Sequence, residues 1–140
     1  MPDSHPTLQG IFPILATCFH PDGAIDYKSQ ERLIQFCIDS GVHGLVMLAN
    51  ASEGHLLSET EKADLLDFGL KIIQNRIPVI ATVNHPSAYV VSQTAARAEA
   101  LGASAVMTLP PFFGRWRAGL GEVYRHFEAL NQAAQIPIVL

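Results

Sequence analysis

Four short polar segments of this 140-residue chain each follow an apolar run, and they hold its most chemically able side chains. They are Thr17-Cys18-Phe19-His20, Asn50-Ala51-Ser52-Glu53-Gly54-His55, Asn84-His85-Pro86 and Pro110-Pro111-Phe112-Phe113-Gly114-Arg115. Asn50 and Ser52 can both donate to an anionic oxygen, and the amides of a tight loop ahead of a helix favour a carboxylate. The same residues would equally make a plain turn, with Glu53 as a structural carboxylate bonding loop amides rather than a general base. His85 at a strand end suits acid or base work near neutral pH, its plainer reading being a surface histidine ahead of Pro86. His20 and His55 rank lower, since each falls in a loop open to solvent. The six histidines and two cysteines show no His-x-x-x-His or Cys-x-x-Cys spacing, so no metal is expected. Neither a dinucleotide fingerprint nor a phosphate loop occurs, so no cofactor is expected either.

Each polar segment must be held by the apolar run before it and the amphipathic stretch after it. Ile11 to Thr17 reads as a buried strand, and Asp26 as the N-cap of a helix over Lys28 to Ser40. Gly41 ends that helix, because its left-handed closing turn favours glycine. Gly44 to Ala49 is the second strand, and Ser58 with Glu61 has the spacing of a capping box for a helix running to about Asn75. Pro78 to Val83 is the third strand, Ser87 to Leu101 the third helix and Ala105 to Leu109 the fourth strand. Leu120 to Ala134 is the fourth helix, and Ile136 to Leu140 begins a fifth strand. Continuous apolar strands alternating with helices predict an α/β fold with a parallel sheet.

Gly41-Val42-His43-Gly44-Leu45-Val46-Met47 is echoed by Gly102-Ala103-Ser104-Ala105-Val106-Met107, and Arg76-Ile77-Pro78-Val79-Ile80 by Gln135-Ile136-Pro137-Ile138-Val139. A repeat every two βα units points to a (β/α)8 TIM barrel. Such a barrel takes about 250 residues, so this chain covers about the first four and a half of its βα units. The expected organisation is an N-terminal arm over residues 1–9 and half of a barrel over 10–140, ending inside an apolar strand as a truncated chain would. The rival is a five-stranded flavodoxin-like sheet, which suits the length but predicts a helix after its last strand.

With 49% hydrophobic and 16% charged residues, the chain can build a core and is not disordered. A net charge of −4 with nine Lys and Arg excludes nucleic acid and an anionic membrane as partners. The lack of a membrane-length apolar run or a signal sequence, with few cysteines, predicts a cytoplasmic protein. Phe112 and Phe113 form an apolar tip that needs cover, so they are the expected contacts of a homo-oligomer.

From Gly10 to Leu140 the chain resembles the N-terminal half of the dihydrodipicolinate synthase/N-acetylneuraminate lyase family. The resemblance rests on Gly10-Ile11-Phe12-Pro13, Phe19, Gly23-Ala24-Ile25-Asp26, Ser40-Gly41-Val42-His43-Gly44-Leu45, Leu57-Ser58-Glu59-Thr60-Glu61, Arg76-Ile77-Pro78-Val79-Ile80-Ala81 and Pro111-Phe112-Phe113. It implies a (β/α)8 lyase that forms a Schiff base between a lysine and a 2-keto acid, commonly as a dimer or tetramer. The family's Gly-Thr-Thr-Gly-Glu or Gly-Ser-Thr-Gly-Glu stretch, whose hydroxyls bind the keto-acid carboxylate, is here Ala49-Asn50-Ala51-Ser52-Glu53. The tyrosine of a synthase proton relay is replaced by Phe112 and Phe113, which carry no proton.

The Ala-Asn-x-Ser-Glu stretch, His85 and Met107 to Pro111 are more similar to 2-keto-3-deoxy-L-arabonate dehydratases and related sugar-acid lyases. By that resemblance Thr17, Asn50, Ala51 and Ser52 hold substrate, and His85 contacts the sugar-acid chain or assists proton transfer. Lys28, Lys62 and Lys71 fall on predicted helices outside the barrel, whereas the Schiff-base lysine of the family lies on a sixth strand. The expected function is a Schiff-base aldolase or dehydratase acting on a 2-keto-3-deoxy sugar acid, with its catalytic lysine absent from this chain. Dihydrodipicolinate-type condensation and a non-catalytic half-barrel that self-assembles are the alternatives.

Overall fold

Strand order separates the two architectures. A doubly wound sheet reverses direction at a switch point, whereas a barrel wall adds each strand to the edge left by the one before. The computed structural model describes residues 8–113 and 116–140, leaving out the side chains of Phe112, Phe113, Trp116 and Arg117. Its main sheet takes β1 (Leu45–Met47), β2 (Val79–Thr82), β3 (Ala105–Met107) and β6 (Ile138–Val139) in chain order, all parallel and without reversal. Helix α1 (Tyr27–Asp39) precedes β1, and α2 (Glu59–Ile73), α3 (Ala88–Ala100) and α4 (Leu120–Ala133) run between the strands. This is the N-terminal part of a (β/α)8 barrel, and the flavodoxin-like rival is excluded.

The two faces of the sheet bury different things. Outward residues such as Leu45, Met47, Val79, Ala81 and Val106 join Ile34, Leu65, Ile73, Val91 and Leu130 of the helices in one large core. Inward residues Val46, Ile80 and Ala105 form a second, smaller cluster, closed by Leu8 and Phe12 from the segment ahead of β1. Phe12 presses against the foot of β1 so closely that a Cβ on Gly44 would lie 2.1 Å from its ring. The wall is thus plugged at its N-terminal end, and the polar segments gather at the other.

Two expected elements take a different form. The first predicted strand, Ile11 to Thr17, makes only an isolated bridge from Ile14 to Val46, because Pro13 has no N–H to extend a ladder. Two backbone bonds hold it there, Leu15 N–H to the Val46 carbonyl (2.9 Å) and Val46 N–H to the Pro13 carbonyl (3.0 Å). The segment after β3, read as a loop tip, is an antiparallel pair of β4 (Phe112–Phe113) and β5 (Trp116–Arg117). The expected oligomer contacts of Phe112 and Phe113 are side-chain contacts and lie outside the described residues. Among the described residues no helix is long and apolar enough to cross a membrane.

Helix starts follow local chemistry closely. Asp26 caps α1 by accepting from Ser29 N–H (3.0 Å). Ser58 and Glu61 make the full capping box of α2, with Ser58 N–H donating to Glu61 Oε2 (2.8 Å) and Glu61 N–H to Ser58 Oγ (3.2 Å). The Ser58→Ala variant is therefore expected to lose about 1 kcal/mol of folding stability, read as a lower urea midpoint with an unchanged slope.

Candidate functional site

The loop after β1 is forced into shape by two non-glycine residues in the left-handed region. Leu48 (φ 64°) turns the chain off the strand, and Glu53 (φ 55°) ends the 3-10 turn Asn50–Ser52 that follows. Gly54 then passes over the Leu48 carbonyl, where a Cβ would lie 2.2 Å from the oxygen. Inside the turn the N–H groups of Ser52 and Gly54 donate to the Ala49 carbonyl, and that of Glu53 to the Asn50 carbonyl. Those amides are spent on the turn itself. Glu53, expected to bond loop amides, is exposed, and its carboxylate accepts no hydrogen bond among the described residues. The 3-10 closure replaces it by satisfying the loop through backbone carbonyls.

The turn is tied to the rest of the wall through Thr17, whose Oγ1 donates to the Ser52 carbonyl at 2.5 Å. Thr17 is in turn bracketed by the buried side chain of Gln30 on α1. Its Oε1 accepts from Cys18 N–H (2.9 Å) and its Nε2 donates to the Ala16 carbonyl (3.2 Å). Gln30 went unnoticed in the sequence because a glutamine on a helix ordinarily faces water. A polar residue aligned with Ile34 and Cys37 on the apolar face was the available signal.

The end of β2 is organised by short polar links. Asn84 Oδ1 accepts from Leu109 N–H (2.7 Å), joining the loops after β2 and β3. His85 Nδ1 accepts from Ser87 N–H (3.0 Å), so the neutral ring carries its proton on Nε2. In that form His85 is a hydrogen-bond donor rather than a base. Asn50, Thr82, Asn84 and His85 share the wall of a cavity of about 650 Å³ that runs from the strand ends into the groove between α2 and α3. His55, expected only in solvent, also lines it, as does Lys62, which is paired with Glu59 at 2.7 Å.

Of the residues expected to bind substrate, Asn50 and His85 therefore come together on the cavity wall. Thr17 and Ser52 come together in the hydrogen bond that anchors the turn, and Ala51 is exposed outside that wall. Two buried hydroxyls have no partner among the described residues, Ser52 Oγ and Thr82 Oγ1. Thr82 was missed because a threonine closing an apolar strand is ordinary β-sheet composition.

His126 on α4 was missed as well. It is 2% exposed, stands edge-on to Phe127 (centroids 5.6 Å), and neither ring nitrogen has a partner among the described residues. Burial first, and the nearby His85 second, hold its pKa below the ordinary histidine value.

Polar residues gathered at the C-terminal mouth of a parallel barrel wall are where such folds place their chemistry. Residues 7–140 match the model of the dihydrodipicolinate synthetase family. The chain belongs to that family. It is 36% identical over 138 residues to L-2-keto-3-deoxyarabonate dehydratase of Azospirillum brasilense, covering 98% of this chain and 45% of that protein. It is 37% identical over 136 residues to 4-hydroxy-tetrahydrodipicolinate synthase of Stenotrophomonas maltophilia, covering 96% and 44%. YagE of E. coli, a prophage protein belonging to the dihydrodipicolinic acid synthase family and solved in complex with pyruvate, matches with a TM-score of 0.89 and 25% identity, over 95% of this chain and 44% of that one. The chain spans less than half the length of these relatives.

Two measurements check this arrangement. Replacing Gln30 by Met keeps the volume but leaves Cys18 N–H and the Ala16 carbonyl without their partner, so a loss of about 1–3 kcal/mol is expected in denaturant unfolding. Because the folded pKa of His126 is depressed, the unfolded chain takes up a proton first as pH falls, and stability is lost on the acid side of about pH 6.5. In thermal melts between about pH 7 and 5, His126→Phe is expected to show a smaller fall in Tm than the parent.

Proposed function

We propose that the protein carrying this chain is a Schiff-base lyase of its family acting on a 2-keto-3-deoxy sugar acid. Identity alone does not choose between dehydratase and synthase, since the relatives of both kinds are 36% and 37% identical. The observation that carries the reading is the turn after β1. Where a synthase presents two adjacent hydroxyls to a keto-acid carboxylate, this chain has Asn50 and Ala51, with Ser52 anchored from behind by Thr17. By the same resemblance Phe112 and Phe113 replace the tyrosine of a synthase relay, which further disfavours condensation.

In this reading the carboxylate of the substrate sits over the Asn50–Ser52 turn, and Asn50 donates to it. The amine of a lysine attacks the 2-keto carbon, water leaves, and an imine forms that draws electrons away from the neighbouring carbon. His85, holding its proton on Nε2, donates to a chain hydroxyl or to a departing oxygen. The lysine is not one of the three in this chain. Lys28 is on α1, Lys62 and Lys71 are on α2, and the latter two are paired with Glu59 and Asp67. An outer helix cannot supply the desolvated amine this chemistry needs. A homo-oligomer covering the Phe112-Phe113 segment belongs to the same proposal.

The experiment is borohydride reduction in the presence of pyruvate, read by intact mass. The natively expressed protein is expected to gain one reduced pyruvate adduct, and the isolated 140-residue chain none. A native protein that stays unmodified contradicts the reading.

A further inference from the structure

We infer that Thr82 is a specificity-determining residue that hydrogen-bonds a chain hydroxyl of the substrate. The inference rests on the lyase reading and extends it to a residue that nothing else assigns to substrate. Thr82 is the last residue of β2 and has the same parity as Ile80, so it belongs to the inward face at the C-terminal mouth. It is 5% exposed, and its Oγ1 has no hydrogen-bond partner among the described residues. A buried hydroxyl left unmade is costly, and a valine of the same shape would avoid the cost. A threonine retained there is explained if the hydroxyl is satisfied when the site is filled. Rotation about χ1 re-aims the hydroxyl without moving the backbone, and Thr82 already lines the cavity.

The surroundings specify the ligand chemistry. Asn50, Asn84 and the Nε2–H form of His85 on the same wall are neutral when His85 is unprotonated, and a threonine hydroxyl both donates and accepts. At the strand ends these neutral donors and acceptors match alcohol groups, while the charged lining residues Glu59, Lys62 and Arg97 come from α2 and α3. Spacing agrees as well. β1 and β2 are paired with Met47 opposite Ala81, and neighbouring strands lie about 4.8 Å apart. A substrate whose carboxylate is held after β1 therefore places a hydroxyl three or four bonds further along its chain over the end of β2. Pyruvate has no such hydroxyl.

The test compares parent, Thr82→Val and Thr82→Ser in the natively expressed protein. Three readouts are taken: pyruvate trapping with borohydride, kcat/KM toward a five-carbon 2-keto-3-deoxy sugar acid, and Tm. Thr82→Val is expected to trap pyruvate as the parent does, to melt no lower, and to lose about tenfold in kcat/KM for the sugar acid. Thr82→Ser is expected to regain most of that loss. Unchanged sugar-acid kinetics in Thr82→Val overturn the inference. So does an equal loss of trapping, turnover and Tm, which would mark the hydroxyl as structural. A parent that traps no pyruvate overturns the lyase reading itself, an outcome visible before any variant is made.

Discussion

The mouth of this barrel wall depends on one buried amide. Gln30 of α1 holds the backbone on either side of Thr17, and Thr17 holds the carbonyl of Ser52. That chain of three hydrogen bonds links an outer helix, the irregular first segment and the turn after β1. The first segment makes only a single bridge to β1, so it has little ladder of its own to fix its position. The turn, for its part, contains left-handed Leu48 and Glu53, conformations that L-residues adopt only when their surroundings enforce them. Take away the amide, and the turn keeps its own backbone hydrogen bonds but loses the support that positions Thr17 against it.

On that support the strand-end part of the site is built from neutral, short side chains, and Glu59, Lys62 and Arg97 line its side toward α2 and α3. Lys62 is paired with Glu59 along α2, and burial, with the nearby His85, holds the pKa of His126 down. Under the proposed lyase reading, the arrangement would orient a substrate through hydrogen bonds and leave the covalent step to an amine from elsewhere. This division suits a (β/α)8 scaffold, in which separate strand ends each contribute one group to a shared mouth.

Periodicity and punctuation made the scaffold legible. Asp26, Ser58 with Glu61, and Ser87 begin helices as expected because capping is local chemistry, decided within four residues. Strand order was accessible through the repeat, since a unit that recurs must pack in the same way each time. What escaped notice depends on contacts distant in sequence. Gln30 matters through residues 12 to 14 positions away, and His126 through its burial on α4. Asn50 and His85 were visible as polar residues at strand ends, yet Thr82 was hidden by being a good strand former. The pairing of Phe112-Phe113 with Trp116-Arg117 was read as a bare loop because two-residue strands carry no period.

Under the proposed lyase reading, the Asn50–Ser52 turn receives the carboxylate of a 2-keto acid. A crystal structure of the natively expressed protein, reduced with borohydride in the presence of pyruvate, tests it most directly. The adduct is expected on a lysine outside this segment, with its carboxylate within hydrogen-bond distance of Asn50 and the backbone of the turn. An adduct whose carboxylate lies against other residues, with the turn empty, would contradict it.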